Sequence, residues 1–420
     1  MGPTDESEAN FLTAQAQELR LSATLEINEL VRKQLDMGKP VVHLGFGEAT
    51  FPIPKSVRAA HEEASGNTSY LPVAGLWKLR ESVARFQTRR LGFTIGPEQV
   101  VIAPGSKPLL FALFDIINGD ALLPRSSLNS AYDQAISDGS DPRIMLINSP
   151  SNPTGQAFSK ETLETITSFC KEKKITLISD EIYSDICYAE NYATTSCTED
   201  TFNAGQMVLT GGLSKTYSAG GWRVGFAIFP PNRFGTTLQK AILAYASECW
   251  SAASAPAQEA AAIAFDTTPE MDTYRSQLTN LHKHCTIRLY EALKNCGLAV
   301  AAPKGAFYLY PSFYPYNKQL ESLGIYTSRQ LSRWLIEQCG VAALPGSVFG
   351  EDDEGARGGR YRLRMATSYL YFKDQEERYA RGYELLSQAL EGEANAAIEL
   401  PLLEKAIVAI KNAVVKLKNV

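Results

Sequence analysis

One stretch of this sequence, residues 208–225, limits what the chain can fold into more than any other. It reads VLTGGLSKTYSAGGWRVG, and its first residues are apolar, as is typical of a short buried strand. The stretch then turns through small residues and presents Lys215, with Arg223 eight positions later. Because α/β proteins place reactive groups at turns after buried strands, the stretch predicts such a sheet with a functional turn at its edge.

The lysine and the arginine together suit one kind of ligand. Desolvation favours the neutral amine of a lysine, which can then form a Schiff base with a carbonyl group. An arginine presents a planar, permanently charged fork that matches a phosphate. A phosphorylated aldehyde such as pyridoxal 5′-phosphate (PLP) has both groups. On these two residues alone, an ordinary surface lysine remains an equally open interpretation.

The flanking residues carry a family resemblance. The run from Ser214 and Lys215 to Gly221, Trp222 and Arg223 resembles the lysine signature of class I/II aminotransferases, the fold-type I PLP-dependent enzymes. The form GGLSK…GWR is most similar to the tyrosine- and alanine-type branch, and the resemblance extends over residues 44–367. It implies an α/β fold, with a large domain built on a mostly parallel, seven-stranded-type sheet and a small α+β domain.

The resemblance also implies how the chain is divided. An N-terminal segment, residues 1–45, would join the small domain, and residues 46–285 would form the large PLP-binding domain. Residues 286–390 would form the small C-terminal domain. Residues 391–420 add a tail in which apolar residues follow one helical stripe, namely Leu403, Ile407, Ile410, Val414 and Leu417. This pattern predicts an amphipathic helix packed on the small domain; a membrane-surface or partner-binding helix is the alternative.

Further site residues are implied by the resemblance, residue by residue. Lys215 would hold PLP and shuttle a proton, and Asp180 would keep the pyridine nitrogen protonated. The other residues implied to bind PLP are Tyr70, which would reach across a homodimer interface, and Gly105, Ser106, Lys107, Asn152, Tyr183, Ser214 and Arg223. The substrate carboxylate would be bound by Gly47, Asn152 and Arg364. Arg362 lies on the same face of the predicted strand and is the alternative to Arg364.

Local sequence context supports several of these roles. Gly105–Lys107 lies between a predicted strand and a helix with Pro108 in its first turn, so its amides form a helix N-terminus suited to phosphate. Asn152 and Asp180 each follow an apolar strand, where doubly wound sheets bind ligands. Each residue alone also has an ordinary interpretation as a turn residue, a helix cap or a surface side chain. Their order along the chain is what favours the functional one.

One segment departs from the family. Gly105 and Asn152 lie 47 positions apart, whereas the family places them roughly twice as far apart. The shortfall falls between Arg125 and Asp141, where the family has an aromatic residue that stacks on the pyridine ring. Tyr132 lies in a predicted helix downstream and does not fill that position. We therefore expect a sheet depleted by this segment and one face of the ring less covered.

Composition excludes other classes of function. Of 420 residues, 45% are hydrophobic and 21% charged, and the net charge of −5 gives no reason to expect nucleic acid or an anionic membrane as a partner. Seven scattered cysteines and four histidines predict neither a disulfide framework nor a metal site. No signal peptide or membrane-spanning run is visible, so we expect a cytoplasmic protein.

The resemblance implies a homodimeric aminotransferase that exchanges an amino group between an amino acid and a 2-oxo acid. A PLP-dependent lyase of the carbon–sulfur or aminocyclopropane-carboxylate type uses nearly the same residues and is the first alternative. A weakly active or non-catalytic PLP-fold protein is the second, because of the shortened segment. The side chain of the substrate cannot be read from these motifs.

Overall fold

A computed structural model describes Gln17 and residues 23–121, 127–188, 197–353, 361–389 and 398–420. In these ranges the chain forms eleven strands, numbered here along the sequence. They are β1 (Val42–His43), β2 (Val100–Ala103), β3 (Asp120–Ala121), β4 (Pro142–Asn148), β5 (Thr176–Asp180), β6 (Met207–Gly212), β7 (Gly225–Ile228), β8 (Tyr308–Leu309), β9 (Val341–Ala342), β10 (Leu344–Pro345) and β11 (Leu363–Ala366).

The central sheet has six strands in the described residues, in the order β2-β7-β6-β5-β4-β3. Strands β3, β4, β5 and β6 pair in parallel, whereas β7 runs antiparallel to both β6 and β2. The predicted α/β sheet with mostly parallel strands is confirmed. Within the described ranges it has one strand fewer than the seven-stranded type, and its β3 edge is the edge next to the shortened segment.

The sheet is covered on both faces, which explains why its strands read as continuous apolar runs. Every residue of β2 and β7 is buried, as are the first four residues of β5. On one face, Val101, Ile144, Ile178 and Val208 pack with apolar residues of two helices; on the other, Met145, Leu177 and Leu209 join the main core. The core therefore lies on both sides of the sheet.

Fourteen α-helices occur in the described residues, also numbered along the chain. They are α1 (Ala23–Asp36), α2 (Lys55–Glu63), α3 (Trp77–Leu91), α4 (Ser106–Ile116), α5 (Leu128–Ser137), α6 (Lys160–Lys173), α7 (Glu199–Ala204), α8 (Arg233–Cys249), α9 (Ala255–Ala264), α10 (Pro269–Asn295), α11 (Asn317–Ser322), α12 (Ser328–Cys339), α13 (Gln375–Gln388) and α14 (Pro401–Lys418).

Local sequence signals account for several of these helices. Ser159 caps α6, because its side-chain oxygen accepts a hydrogen bond from the Thr162 amide at 3.2 Å. All five residues of the predicted stripe in the tail lie in α14 and are buried. Helix α14 begins at Pro401 and packs mainly against α10 and α12. Residues 390–397 lie outside the described residues.

Two small sheets lie apart from the central one. Strand β1 pairs in parallel with β9, and β10, β11 and β8 form an antiparallel sheet. The predicted domain boundary at residue 285 falls inside α10, which has 27 residues and would link the two domains. Because β1 pairs with β9, the segment before Gly45 lies beside the C-terminal strands, close to β11.

Two features of the sequence can be placed on the structure. All seven cysteines lie in the described residues, and none of them forms a disulfide bond. None of the helices in the described ranges is both long and apolar enough to cross a membrane.

Candidate active site

A cavity of about 660 Å³ opens at the carboxyl ends of β4, β5 and β6. This is the edge of a doubly wound sheet where ligands bind, since the strand ends and the following turns leave a crevice there. The cavity wall contains most of the predicted site residues, namely Gly47, Ser106, Lys107, Asn152, Asp180, Tyr183, Ser214, Lys215, Arg223 and Arg364. The structure thus brings together residues that lie as far apart as positions 47 and 364.

Lys215 follows β6 and lies in the cavity wall. Its Nζ atom donates a hydrogen bond to the carbonyl oxygen of Gly47 and lies 5.7 Å from the ring centroid of Tyr183. Burial, and after it the nearby Arg364 guanidinium, lower the pKa of the Lys215 amine to about 8, although Glu48 and Asp180 act to raise it. A substantial fraction of this amine is therefore neutral and nucleophilic near pH 7.5.

Asp180 ends β5, and burial raises the pKa of its carboxyl group to about 6. Its Oδ1 atom accepts hydrogen bonds from the Ile182 amide at 3.3 Å and from the Thr210 hydroxyl at 3.4 Å. These donors partly offset the desolvation, so the side chain is an anion at neutral pH. Such a carboxylate can hold a proton on a basic ring nitrogen that enters the cavity.

A chain of side-chain amides connects Asp180 with the far wall of the cavity. The Asn148 Nδ2 atom donates to the backbone carbonyl of Asp180 at 2.9 Å. The backbone N–H of Asn152 donates to Asn148 Oδ1 at 2.8 Å. The Arg364 Nη1 atom in turn donates to Asn152 Oδ1 at 3.2 Å. Asn148 had no assignment from the sequence, although its place at the end of β4 was a signal for it.

The structure distinguishes Arg364 from Arg362. Arg364 is 5% exposed and lies between the rings of Tyr308 and Phe349, with its guanidinium carbon 5.0 Å and 5.3 Å from their centroids. Its Nε atom is buried and has no hydrogen-bond partner among the described residues. Arg362 points elsewhere and pairs with Glu351 at 2.9 Å. Of these two arginines, Arg364 is the one that lines the cavity and could bind a carboxylate there.

The turn before α4 forms a cradle for an anion. Gly105 has φ +90°, and a Cβ atom there would lie 2.3 Å from Arg223 Nη2. A Cβ atom on Gly225 would lie 2.3 Å from the Ser106 amide nitrogen, so β7 packs directly on the same turn. Glycine at both positions lets the Arg223 guanidinium sit beside the first amides of α4, which suits a phosphate group.

Tyr70 is the one predicted site residue that lies apart from the others. Its side chain is 96% exposed, and it does not line the cavity of its own chain. The structure therefore gives Tyr70 no contact with the other site residues within one chain.

The cavity wall next to the shortened segment is apolar and partly open. Leu110 of α4 and Leu146 of β4 form this wall, and Leu146 is 41% exposed although it lies within the central sheet. The aromatic members of the wall are Tyr183 and Tyr308 in the described ranges. Tyr132 lies in α5 and packs edge-on against Phe169, away from the cavity. Residues 122–126, just before and at the start of the shortened segment, lie outside the described residues.

Tyr308 is a cavity residue that sequence reasoning did not assign. Its hydroxyl oxygen lies 2.6 Å from that of Tyr183, and a Cβ atom on Gly47 would lie 2.3 Å from it. The run around Phe307 is recognisable as a strand, but no local pattern predicts that Tyr308 reaches a residue 125 positions away.

The donor set of the cavity fits PLP. A nucleophilic amine (Lys215), a carboxylate anion (Asp180) and an anion cradle with two glycines at close approach match its aldehyde, ring nitrogen and phosphate. The orphaned Nε atom of Arg364 leaves a donor for the carboxylate of a second molecule. Among the described residues there is no cluster of three or more histidine, cysteine or carboxylate side chains that could hold a metal ion.

Comparison with known proteins agrees with this donor set. The sequence profile of the family "Aminotransferase class I and II" matches residues 39–125 and 123–369. The match divides in two at the shortened segment, and helix α14 lies beyond its end.

Individual relatives are similar along most of their length. A probable aspartate/prephenate aminotransferase of Aquifex aeolicus is 29% identical, and the alignment covers 90% of this chain and 98% of the relative. The putative aminotransferase YugH of Bacillus subtilis is 31% identical, with 77% of this chain and 89% of the relative covered. An alanine aminotransferase from Pyrococcus furiosus shares the fold, with a TM-score of 0.74 at 22% identity over 96% of this chain and 100% of that structure.

The family match extends over more than half of the chain and includes Lys215, Asp180 and the cradle around Gly105. The lyase and the non-catalytic alternatives are not favoured, because the relatives are aminotransferases. This chain therefore belongs to the class I and II aminotransferases, PLP-dependent enzymes that exchange an amino group between an amino acid and a 2-oxo acid.

Proposed function

We propose that Lys215 is the residue that holds PLP and that later moves the proton of the substrate α-carbon. The observation that carries this proposal is the position of its amine in the cavity wall, close to Asp180 and Arg364 and with a pKa lowered to about 8. A neutral amine can attack a carbonyl and can afterwards accept a proton. Bound PLP would supply the electron sink that stabilises the carbanion at that carbon.

The other cavity residues would hold the two molecules in place. Asp180 would keep the proton on the ring nitrogen, and Asn152 and Tyr183 would donate to the phenolic oxygen of PLP. Gly105, Ser106, Lys107, Ser214 and Arg223 would bind the phosphate. Arg364 would bind the substrate carboxylate through its free Nε atom and one Nη atom, with Asn152 beside it and the Gly47 backbone close by.

Aspartate is the amino donor that we propose to test first. Several relatives are named for this substrate, including aspartate aminotransferases of Bacillus subtilis and Geobacillus stearothermophilus, 28% and 29% identical to this chain. The seven free cysteines are also compatible with a reducing compartment, so we propose that the enzyme works in the cytoplasm.

A single-turnover assay tests the proposed reaction. The PLP-loaded enzyme is mixed with one equivalent of aspartate and no oxo acid, and the products are identified by mass spectrometry. We expect one equivalent of oxaloacetate and conversion of PLP to pyridoxamine phosphate. Alanine and tyrosine serve as competing donors. Formation of an eliminated product with PLP retained would contradict amino-group exchange and would support the lyase alternative.

We propose further that the enzyme is a homodimer in which Tyr70 of one subunit binds the PLP phosphate of the other. The support is that Tyr70 is exposed and does not line the cavity of its own chain. Any contact between its hydroxyl and a PLP phosphate would therefore be made in the cavity of another subunit. Aromatic side chains with a polar tip are also common at protein interfaces.

Active-site complementation tests the proposed role of Tyr70. Lys215→Ala and Tyr70→Ala chains are mixed, dissociated and reassembled at limiting PLP. In a hybrid dimer, one site would combine Lys215 with the intact Tyr70 of the other chain. Random reassembly makes half of the dimers hybrids with one good site, so we expect about a quarter of the parent activity. A mixture no more active than the average of the two variants would show that Tyr70 does not act across an interface.

A further inference from the structure

Tyr308 lies in the wall of the cavity and joins several of the polar contacts there. Its side chain is fully buried, and its hydroxyl oxygen is 2.6 Å from the hydroxyl oxygen of Tyr183. The same hydroxyl is 3.4 Å from the carbonyl oxygen of Gly47 and is oriented to donate to it. Tyr308 therefore connects two residues with proposed roles in the cavity, while it has no assigned role itself.

The Gly47 carbonyl is shared by two donors. Lys215 Nζ donates to this oxygen, and the Tyr308 hydroxyl lies 3.4 Å from it. Glycine at position 47 makes the arrangement possible, because a Cβ atom would lie 2.3 Å from the Tyr308 oxygen. Whatever changes the Tyr308 hydrogen bond therefore changes the environment of the Lys215 amine.

The Tyr308 ring is held in a fixed position. The Arg364 guanidinium carbon lies 5.0 Å from its centroid, and the rings of Tyr183 and Phe307 lie 5.5 Å and 4.8 Å away. In strand β8, Tyr308 is also paired with Ala366 of β11. The ring cannot move without disturbing this packing, so the hydroxyl can respond only by turning its proton.

The proton count allows two arrangements. A tyrosine hydroxyl donates one hydrogen bond. When Tyr308 donates to Gly47, Tyr183 must donate to Tyr308, because their oxygens are 2.6 Å apart. When Tyr183 donates instead to an acceptor in the cavity, Tyr308 can turn its proton to the Tyr183 oxygen, and a hydroxyl that accepts a hydrogen bond becomes a stronger donor.

We propose that Tyr308 is a positioning residue that acts through Tyr183 and the Gly47 carbonyl. With no acceptor in the cavity, its proton is directed to Gly47 and competes with Lys215 for that oxygen. With an acceptor bound to Tyr183, its proton supports Tyr183 and leaves the Gly47 oxygen to Lys215. The inference rests on the roles proposed above for Lys215 and Tyr183.

Other charged groups act on Lys215 and do not change in the test. These are Arg364 and Lys107, which lower the pKa of its amine, and Glu48 and Asp180, which raise it. Removal of one neutral hydroxyl leaves all four in place. A change in the behaviour of Lys215 can then be assigned to the shared carbonyl.

The test compares Tyr308→Phe with Tyr310→Phe in the full chain. Tyr310 lies two residues further along, does not line the cavity, and its buried hydroxyl has no hydrogen-bond partner among the described residues. Both variants lose one buried oxygen, but only the first loses the contacts with Tyr183 and Gly47. Thermal unfolding shows whether both variants keep the parent fold.

The first measurement needs no catalysis. PLP is removed from the full chain, and the reaction of the Lys215 amine with trinitrobenzenesulfonate is followed across pH by peptide mass spectrometry. In Tyr308→Phe the Gly47 oxygen accepts from Lys215 alone, which favours the ammonium form. We expect the reaction at pH 7.5 to slow about two- to three-fold and the profile to shift to higher pH. Tyr310→Phe should follow the parent profile.

The second measurement uses the PLP-loaded enzyme. We expect Tyr308→Phe to lower kcat about five-fold, because Tyr183 loses its supporting donor. The KM for the amino acid should stay unchanged, since the Tyr308 hydroxyl is engaged by Tyr183 and Gly47 and is not proposed to bind the substrate.

The outcomes separate this inference from the proposed function. An unchanged Lys215 profile and an unchanged kcat in Tyr308→Phe would overturn the inference, as would equal changes in Tyr310→Phe. If the parent enzyme exchanges no amino groups, the proposed function fails, whereas the Lys215 profile still tests the shared carbonyl.

Discussion

Replacing Lys215 with alanine is expected to abolish amino-group exchange, with a loss of at least about 10³-fold in turnover. The amine is the proposed nucleophile of the cavity and donates to the Gly47 carbonyl, and its pKa of about 8 leaves part of it neutral near pH 7.5. Turnover with aspartate and the visible absorbance of bound PLP are the measurements. Both should disappear together, because one amine serves both purposes.

The fold should survive this substitution. Lys215 donates one hydrogen bond, to the Gly47 carbonyl, and burial of its ammonium is unfavourable for folding, as its lowered pKa shows. The unfolding temperature of the variant without PLP should therefore be at least that of the parent. Lys240→Ala, at an exposed position on α8, is the matched control and should keep full activity. Parent-like turnover of Lys215→Ala would refute the assignment.

Replacing Asp180 with asparagine is expected to lower the single-turnover rate about 10²- to 10³-fold while PLP remains bound. The carboxylate at the end of β5 is the one anion proposed to face the ring nitrogen, and an amide of the same size cannot hold the nitrogen in its protonated form. Stopped-flow absorbance after addition of amino acid measures the rate, and equilibrium dialysis measures the retention of PLP. Asp36→Asn, at an exposed site at the end of α1, is the control.

The same substitution should make the PLP-free protein more stable at neutral pH. The pKa of Asp180 is about 6 in the folded chain and near 3.8 when unfolded. The folded state thus binds more protons between these values, and stability falls as pH rises from about 4 to about 6. Asparagine does not ionise, so the variant avoids this decrease in the free energy of unfolding, which amounts to as much as about 3 kcal/mol above pH 6. Denaturant unfolding at pH 7.5 and at pH 3.5 measures it, and the difference between parent and variant should vanish at the lower pH.

A combination of slower chemistry and higher stability would distinguish this role from a structural one. If Asp180 merely supported the fold, its substitution would lower both the activity and the stability of the protein. Equal single-turnover rates for Asp180→Asn and the parent would exclude the proposed role of the carboxylate. Lower stability of the PLP-free variant at pH 7.5 would contradict the burial of the charge.

Strand ends were predictable because their signals are local. An apolar run followed by a polar or small residue placed Asn152, Asp180 and Lys215 after strands, and parallel strands bring such residues to one edge of a sheet. The stripe of α14 was predictable for the same reason, since residues three and four apart on a helix share a face. The family resemblance added the order of these residues and the fold class.

The shortened segment shows where prediction from motifs reached its limit. The spacing between Gly105 and Asn152 predicted the missing material, and the central sheet has six strands in the described residues. The consequence for individual side chains depended on packing. Leu146 reads as a core residue of a central strand, yet it is 41% exposed because nothing in the described chain covers it there.

The sequence by itself predicted the α/β architecture, the edge of the sheet where the cavity lies and Lys215 as the candidate nucleophile, because strand patterns are local and the motifs resemble those of the family. Between the predicted Arg364 and its alternative Arg362, the tertiary structure shows that Arg364 lines the cavity, whereas Arg362 pairs with Glu351. The tertiary structure alone placed the Tyr308 hydroxyl against Tyr183, 125 positions away, and the Lys215 amine against Gly47, 168 positions away. Contacts at such separations depend on how β8, β5 and the segment after β1 pack together. Packing between distant segments produces no periodic pattern in the sequence from which it could be predicted.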